Sequence, residues 1–136
     1  MERREDAAAP KRPVRLLIID DDADIVEILC LRFKRDAAFE VESARDAALG
    51  LEKARTFQPH VVLLDVVMPR TDGWELCRRL RSDPSTAKIA VVAMTAQDGA
   101  ADRARAQSAQ VHAVLTKPLD LAGLVQTVLS AAGAAA

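Results

Sequence analysis

The chain has 136 residues, half of them hydrophobic, and a formal net charge of −1. That length suits one domain with a proper core, the composition argues against disorder, and the balanced charge gives no global pull toward nucleic acid or an anionic membrane. No run of about 18 apolar residues occurs, so no membrane span is expected.

The opening stretch, "MERREDAAAPKRP", is charged and has no apolar core of the signal-peptide kind, so residues 1–13 read as a flexible tail in a cytoplasmic protein. "VRLLII" (14–19) is a strand candidate, apolar enough to be buried on both faces. Three aspartates follow at once, Asp20, Asp21 and Asp22. Asp22 stands where a helix N-cap belongs, before "ADIVEILCLRFKR", whose Ile25, Ile28 and Leu29 make one face with Val26 and Phe33 beside it. "FEVES" (39–43) alternates like a short strand, and "ARDAALGLEKAR" (44–55) reads as a helix with Ala48, Leu51 and Ala54 spaced for packing.

"HVVLLD" (60–65) is a second apolar strand. "MPRTDG" then supplies a turn: Pro69 fixes φ, Gly73 tolerates a positive φ, and Asp72 can cap a helix over 72–82. Early in that helix, Trp74 reads as half-packed. "KIAVVAMT" (88–95) is a strand, "GAADRARAQSAQ" (99–110) a weak polar helix, "HAVLT" (112–116) a strand and "LAGLVQTVLSAA" (121–132) the closing helix. A domain over 14–131 followed by a C-terminal tail or truncated linker at 132–136 is the expected organisation. The two cysteines, Cys30 and Cys77, fall inside helices without metal-ligand spacing and read as reduced. His60 and His112 precede strands and read as structural. The arginine-rich helix segments read as solvated surface, with no nucleic-acid binding.

The pattern is βα repeated five times, which implies a parallel sheet covered by helices on both sides. Sites in such sheets lie beyond the carboxyl ends of the strands. Those ends carry Asp20 and Asp21, Asp65, Thr95 and Lys117. Three carboxylates brought together repel one another unless a cation sits among them, and an all-oxygen set suits Mg²⁺, for which Mn²⁺ can substitute. An acid-rich helix start accounts for Asp22 and Asp24 without any ligand. It does not account for Asp65, Thr95 and Lys117 arriving at the same edge.

"IIDDDADI", "VVLLDVVMPRTDGWEL", "AVVAMTA" and "LTKPLDL", in this order and spacing, resemble the receiver domain of bacterial two-component response regulators, the CheY-like module, from about Val14 to Ala131. The resemblance implies a flavodoxin-like doubly wound sheet of strand order 2-1-3-4-5. It implies that Asp65 is the phosphoacceptor, that Asp20, Asp21, Asp65 and the main-chain carbonyl of Val67 hold Mg²⁺, and that Thr95 and Lys117 contact the phosphoryl group. It also matches Lys117–Pro118 to a bond that is cis in the family. The partners it implies are a sensor histidine kinase or phosphotransfer protein and a downstream protein target, with a homodimer left open. Only weak self-phosphotransfer and autodephosphorylation are expected, not turnover of an external substrate. A phosphatase would want a second acid two residues after Asp65, where Val67 stands.

The sequence departs from the family at its switch face. Val114 stands where Tyr or Phe is usual, "QVHA" (110–113) replaces a Gly-Ala-Asp-Asp-like segment, and Gln107 replaces an apolar residue at the end of the fourth helix. Readout through a moving aromatic ring is therefore not expected; a smaller rearrangement of the fifth strand, or coupling through the fourth helix, is expected instead. A phosphorylation-independent interaction module and a phosphate-sink or phosphorelay receiver are the competing readings.

Overall fold

Each apolar run becomes a strand in the computed structural model, which describes residues 12–96 and 99–135. The strands are β1 (Val14–Ile19), β2 (Phe39–Ala44), β3 (Val61–Asp65), β4 (Ala90–Thr95) and β5 (Ala113–Thr116). The helices between and after them are α1 (Ala23–Lys34), α2 (Ala47–Phe57), α3 (Gly73–Ser82), α4 (Ala100–Ala109) and α5 (Leu121–Ala135). The five strands pair in parallel in the order β2-β1-β3-β4-β5. The chain runs outward from β1 to β2 and returns to β3 on the other side of β1. The strand order thus reverses between β1 and β3, which opens a crevice at their carboxyl ends.

Alternation along the strands makes two cores, because successive side chains point to opposite faces. Leu17, Ile19, Val62, Leu64, Val91 and Ala93 meet α2, α3 and α4. Leu16, Ile18, Val61, Leu63, Val92 and Met94 meet α1 and α5. With both faces covered, the central strands need no polar side, and Leu16 to Ile19 and Val61 to Leu64 are fully buried.

Several sequence expectations shift. In α1 the buried stripe is Val26, Leu29 and Phe33, while Ile28 is 54% exposed. Ala44 closes β2 rather than opening a helix, and α2 begins at Ala47 behind an Asp46 cap. There Ala54 is buried and Ala48 is exposed. β4 starts at Ala90 rather than Lys88, and Trp74 is 2% exposed rather than half-packed. The closing helix continues to Ala135, with Ala132 buried. Most of the expected N-terminal tail, residues 1–11, lies outside the described residues.

The "MPRTDG" turn is a two-residue antiparallel hairpin, Val67–Met68 with Thr71–Asp72. None of the described glycines has a positive φ, so Gly73 is not there for backbone freedom. It is there for close approach. A Cβ at Gly73 would lie 2.4 Å from Val66 Cα and 2.9 Å from the Asp65 carbonyl oxygen. α3 therefore starts directly against the backbone that presents Asp65.

Candidate functional site

The residues singled out at the strand ends converge. Asp20 follows β1 and is fully buried, Asp65 ends β3 at 5% exposure, and Thr95 ends β4 at 1%. Lys117 follows β5. Oxygen atoms of Asp20, Asp21 and Asp65 all lie within 4.8 Å of one another. Lys117 Nζ reaches into this group, 3.4 Å from Asp20 Oδ2 and 3.2 Å from Asp65 Oδ2. Thr95 is held beside it through the backbone: its carbonyl accepts from Lys117 N–H at 2.8 Å, and its neighbour Met94 is the register partner of Asp65.

The two buried carboxylates are fixed in the same way. Asp20 Oδ1 accepts the Asp22 N–H and Asp65 Oδ1 accepts the Val67 N–H, both at 2.9 Å. Each is a local turn in which an aspartate bonds the backbone two residues on. This leaves each Oδ2 facing Lys117. It also gives Val67 a visible part through its N–H, and a ligand role for its carbonyl is an implication of the resemblance alone.

Electrostatics make the cluster uneasy. Burial pushes the Asp20 carboxyl up to about 6, with the Asp65 charge adding to it and the Asp22 N–H and Lys117 opposing it. For Lys117, burial works to lower the ammonium pKa, but the facing Asp20 and Asp65 carboxylates outweigh it and raise it. Three carboxylates against one ammonium leave two negative charges uncompensated when all are ionised. All-oxygen donors with spare lone pairs and a half-exposed mouth at Asp21 fit a divalent cation that keeps some of its water.

The residues set aside at the sequence level have structural explanations. Asp22 caps α1 by accepting from the Asp24 and Ile25 N–H groups. His60 Nδ1 accepts the Arg15 N–H at 2.9 Å, and burial keeps its pKa below the usual value. Cys77 is buried, which pushes its thiol up to about 12 and away from reactivity. The Lys117–Pro118 bond is cis. One partner was missed. Thr95 Oγ1 donates to Asp102 Oδ2 at 3.0 Å, and the sequence had marked Asp102 only as part of a polar helix.

The Response regulator receiver domain family profile matches residues 16–129. The chain belongs to the response regulator receiver domain family. It is 39% identical over 106 residues to the response regulator PleD of Caulobacter vibrioides, covering 78% of this chain and 23% of that protein. It is 38% identical over 116 residues to the response regulator MprA of a Mycobacterium species, covering 83% and 48%. The receiver thus spans between about a quarter and a half of these relatives. Among solved structures, a CheY-like receiver domain protein from Methanospirillum hungatei superposes with a TM-score of 0.83 over 91% of this chain and 97% of that one. At 22% identity that likeness speaks for the fold alone. The expected strand order 2-1-3-4-5 is the order found. Among the described residues, no helix is long and apolar enough to cross a membrane.

Proposed function

We propose that Asp65 accepts a phosphoryl group from a sensor histidine kinase or phosphotransfer protein, with Mg²⁺ bound, and that the product alters which protein the receiver binds. The observation that carries this is the Asp65 carboxylate, held by Val67 N–H and facing Lys117 at 3.2 Å inside a three-carboxylate cluster. A carboxylate is a weak nucleophile, so its environment must accommodate the incoming charge. Lys117 offers an ammonium to one phosphoryl oxygen, and the Thr95 hydroxyl would serve another once turned toward it. Asp20, Asp21 and Asp65, with the Val67 carbonyl, would hold Mg²⁺, which supplies neutralising charge to the transferring group. In the transfer, an Asp65 oxygen forms the new P–O bond while the donor's P–N bond breaks, and that electron pair leaves with the imidazole nitrogen. Hydrolysis reverses the gain: water takes the phosphoryl group and Asp65 is restored. Ala96, small and exposed beside Thr95, leaves water a path to the site and supports slow autodephosphorylation. Donor and receiver would meet in the cytoplasm.

The test is labelling with a small phosphodonor in the presence of Mg²⁺. Intact-mass analysis should show one acid-stable, base-labile phosphoryl group on the unsubstituted chain and none on Asp65→Asn. Labelling of that variant at the unsubstituted rate would overturn the assignment.

A further inference from the structure

The hydrogen bond from Thr95 Oγ1 to Asp102 Oδ2, 3.0 Å long, joins the end of β4 to the first turn of α4. It is sheltered, since Thr95 is 1% exposed and Asp102 is half-buried. α4 is also tied at its far end, where the Gln110 carbonyl accepts from Arg81 at 2.9 Å. Its N-cap residue, Gly99, makes no side-chain capping bond, and its buried residues are Ala106 and Ala109.

We propose that Asp102 is a positioning residue for the phosphoryl site: it holds the Thr95 hydroxyl toward α4 until a phosphoryl group on Asp65 competes for the same proton. The inference rests on the phosphoacceptor reading of Asp65. A threonine hydroxyl has a single proton to donate. It can be given to the Asp102 carboxylate or to a phosphoryl oxygen, not to both at full strength. The competition is between two anionic acceptors, so both bonds are charge-assisted and neither loss is trivial. Two anions aimed at one hydroxyl also repel each other. Occupancy at Asp65 therefore displaces Asp102, and its release frees the first turn of α4 from the sheet. Two buried methyl groups resist that movement weakly. The fourth helix becomes the element that registers phosphorylation, without any ring at Val114.

The test uses beryllofluoride with Mg²⁺ as the phosphoryl mimic, with affinity read by amide NMR on the full chain. Removing the competing acceptor in Asp102→Ala should tighten mimic binding by about 3- to 10-fold, the equivalent of a modest charge-assisted hydrogen bond. Asp102→Asn keeps a weaker, neutral acceptor and should tighten it less. It also keeps the question answerable if the alanine variant fails a thermal-unfolding check. In a Thr95→Val background there is no proton to contest, so Asp102→Ala should leave affinity unchanged. A merely structural role for Asp102 would carry its effect into that background, and such a result overturns the proposal. Unchanged or weaker binding in both Asp102 variants overturns it as well. If the unsubstituted chain does not bind the mimic, the phosphoacceptor reading falls and this inference with it. If it does bind, and only the Asp102 variants fail to respond, this inference alone falls.

Discussion

α3 and α4 are each ten residues long and pack on the same face of the sheet, yet they are built to different standards. α3 buries Trp74, Leu76, Cys77 and Leu80, and Asp72 caps it by accepting the Trp74 N–H. Its last turn is pinned by Arg81, whose guanidinium donates to the carbonyls of Ala87, Ile89 and Gln110. α4 buries two alanines and lacks a side-chain cap. A fully buried leucine-sized side chain contributes about 1.5–3 kcal/mol, and an alanine methyl far less. One wall of the candidate site is thus packed through large side chains, and the other through alanines, with its far end tied to Arg81 at the Gln110 carbonyl. The proposed function uses both, since it asks one side to keep Asp65 in place while the other yields.

The largest expected effect tests that contrast directly. Leu80→Ala should cost about 2–5 kcal/mol in urea unfolding, as expected for a truncated core leucine. Ala106→Gly in α4 should cost about 1 kcal/mol, the helix-propensity difference plus a lost methyl. Equal losses would erase the distinction between the walls.

Gly73→Ala sharpens the same comparison at the point where α3 meets Asp65. The added methyl has no room against Val66 Cα, so backbone must shift, at about 1–3 kcal/mol. Because the displaced backbone presents Asp65, phosphoryl labelling should slow as well. Full stability with a normal labelling rate would show that this wall yields more than its packing implies.

A smaller effect lies between the walls, in the acid cluster. The folded chain holds the Asp20 proton more tightly than the unfolded chain does. That contribution to stability is fully present below the ordinary 3.8 and is lost as pH rises through about 6. Metal-free Tm should therefore carry a falling component of a few degrees across this window, and Asp20→Asn should remove it. Added Mg²⁺ should raise Tm more at pH 8 than at pH 5, because protons and metal compete for the same oxygens. A metal response independent of pH, or one surviving intact in Asp21→Asn, would count against the pocket.

Much of this was legible in the sequence, for identifiable reasons. The central strands were visible because parallel strands covered on both faces are uninterrupted apolar runs, while β2 showed as alternation instead. The site residues were visible because each stands at a strand's carboxyl end, where this architecture brings its edges together. Boundaries were less clear where alanine carried them. Ala44 fits a strand end or a helix start equally well, and hydrogen bonding to β1 decides it. Ile28 was misplaced because Ile25, Ile28 and Leu29 form one helical stripe while Val26, Leu29 and Phe33 form its neighbour. Periodicity does not choose between the two; the sheet does. Gln58 and Gln110 end α2 and α4 in left-handed backbone, with φ of 51° and 58°, where glycine or asparagine would have advertised the turn. The partnership of Thr95 with Asp102 follows no local spacing rule and exists only once α4 folds back on β4.

The backbone bond from Lys117 N–H to the Thr95 carbonyl sets what kind of motion the site permits. Thr95 is paired in register with Thr116, and Met94 before it is paired with Asp65. Sliding Thr95 along its strand would drag Lys117 and strip bonds from both neighbouring strands at once. The degree of freedom left cheap is the torsion about its Cα–Cβ bond, which exchanges hydroxyl and methyl between staggered positions about 120° apart. On the proposed function, the moving part inside the site would be a rotor on a stationary axle, and the distance its signal covers there the swing of one oxygen atom.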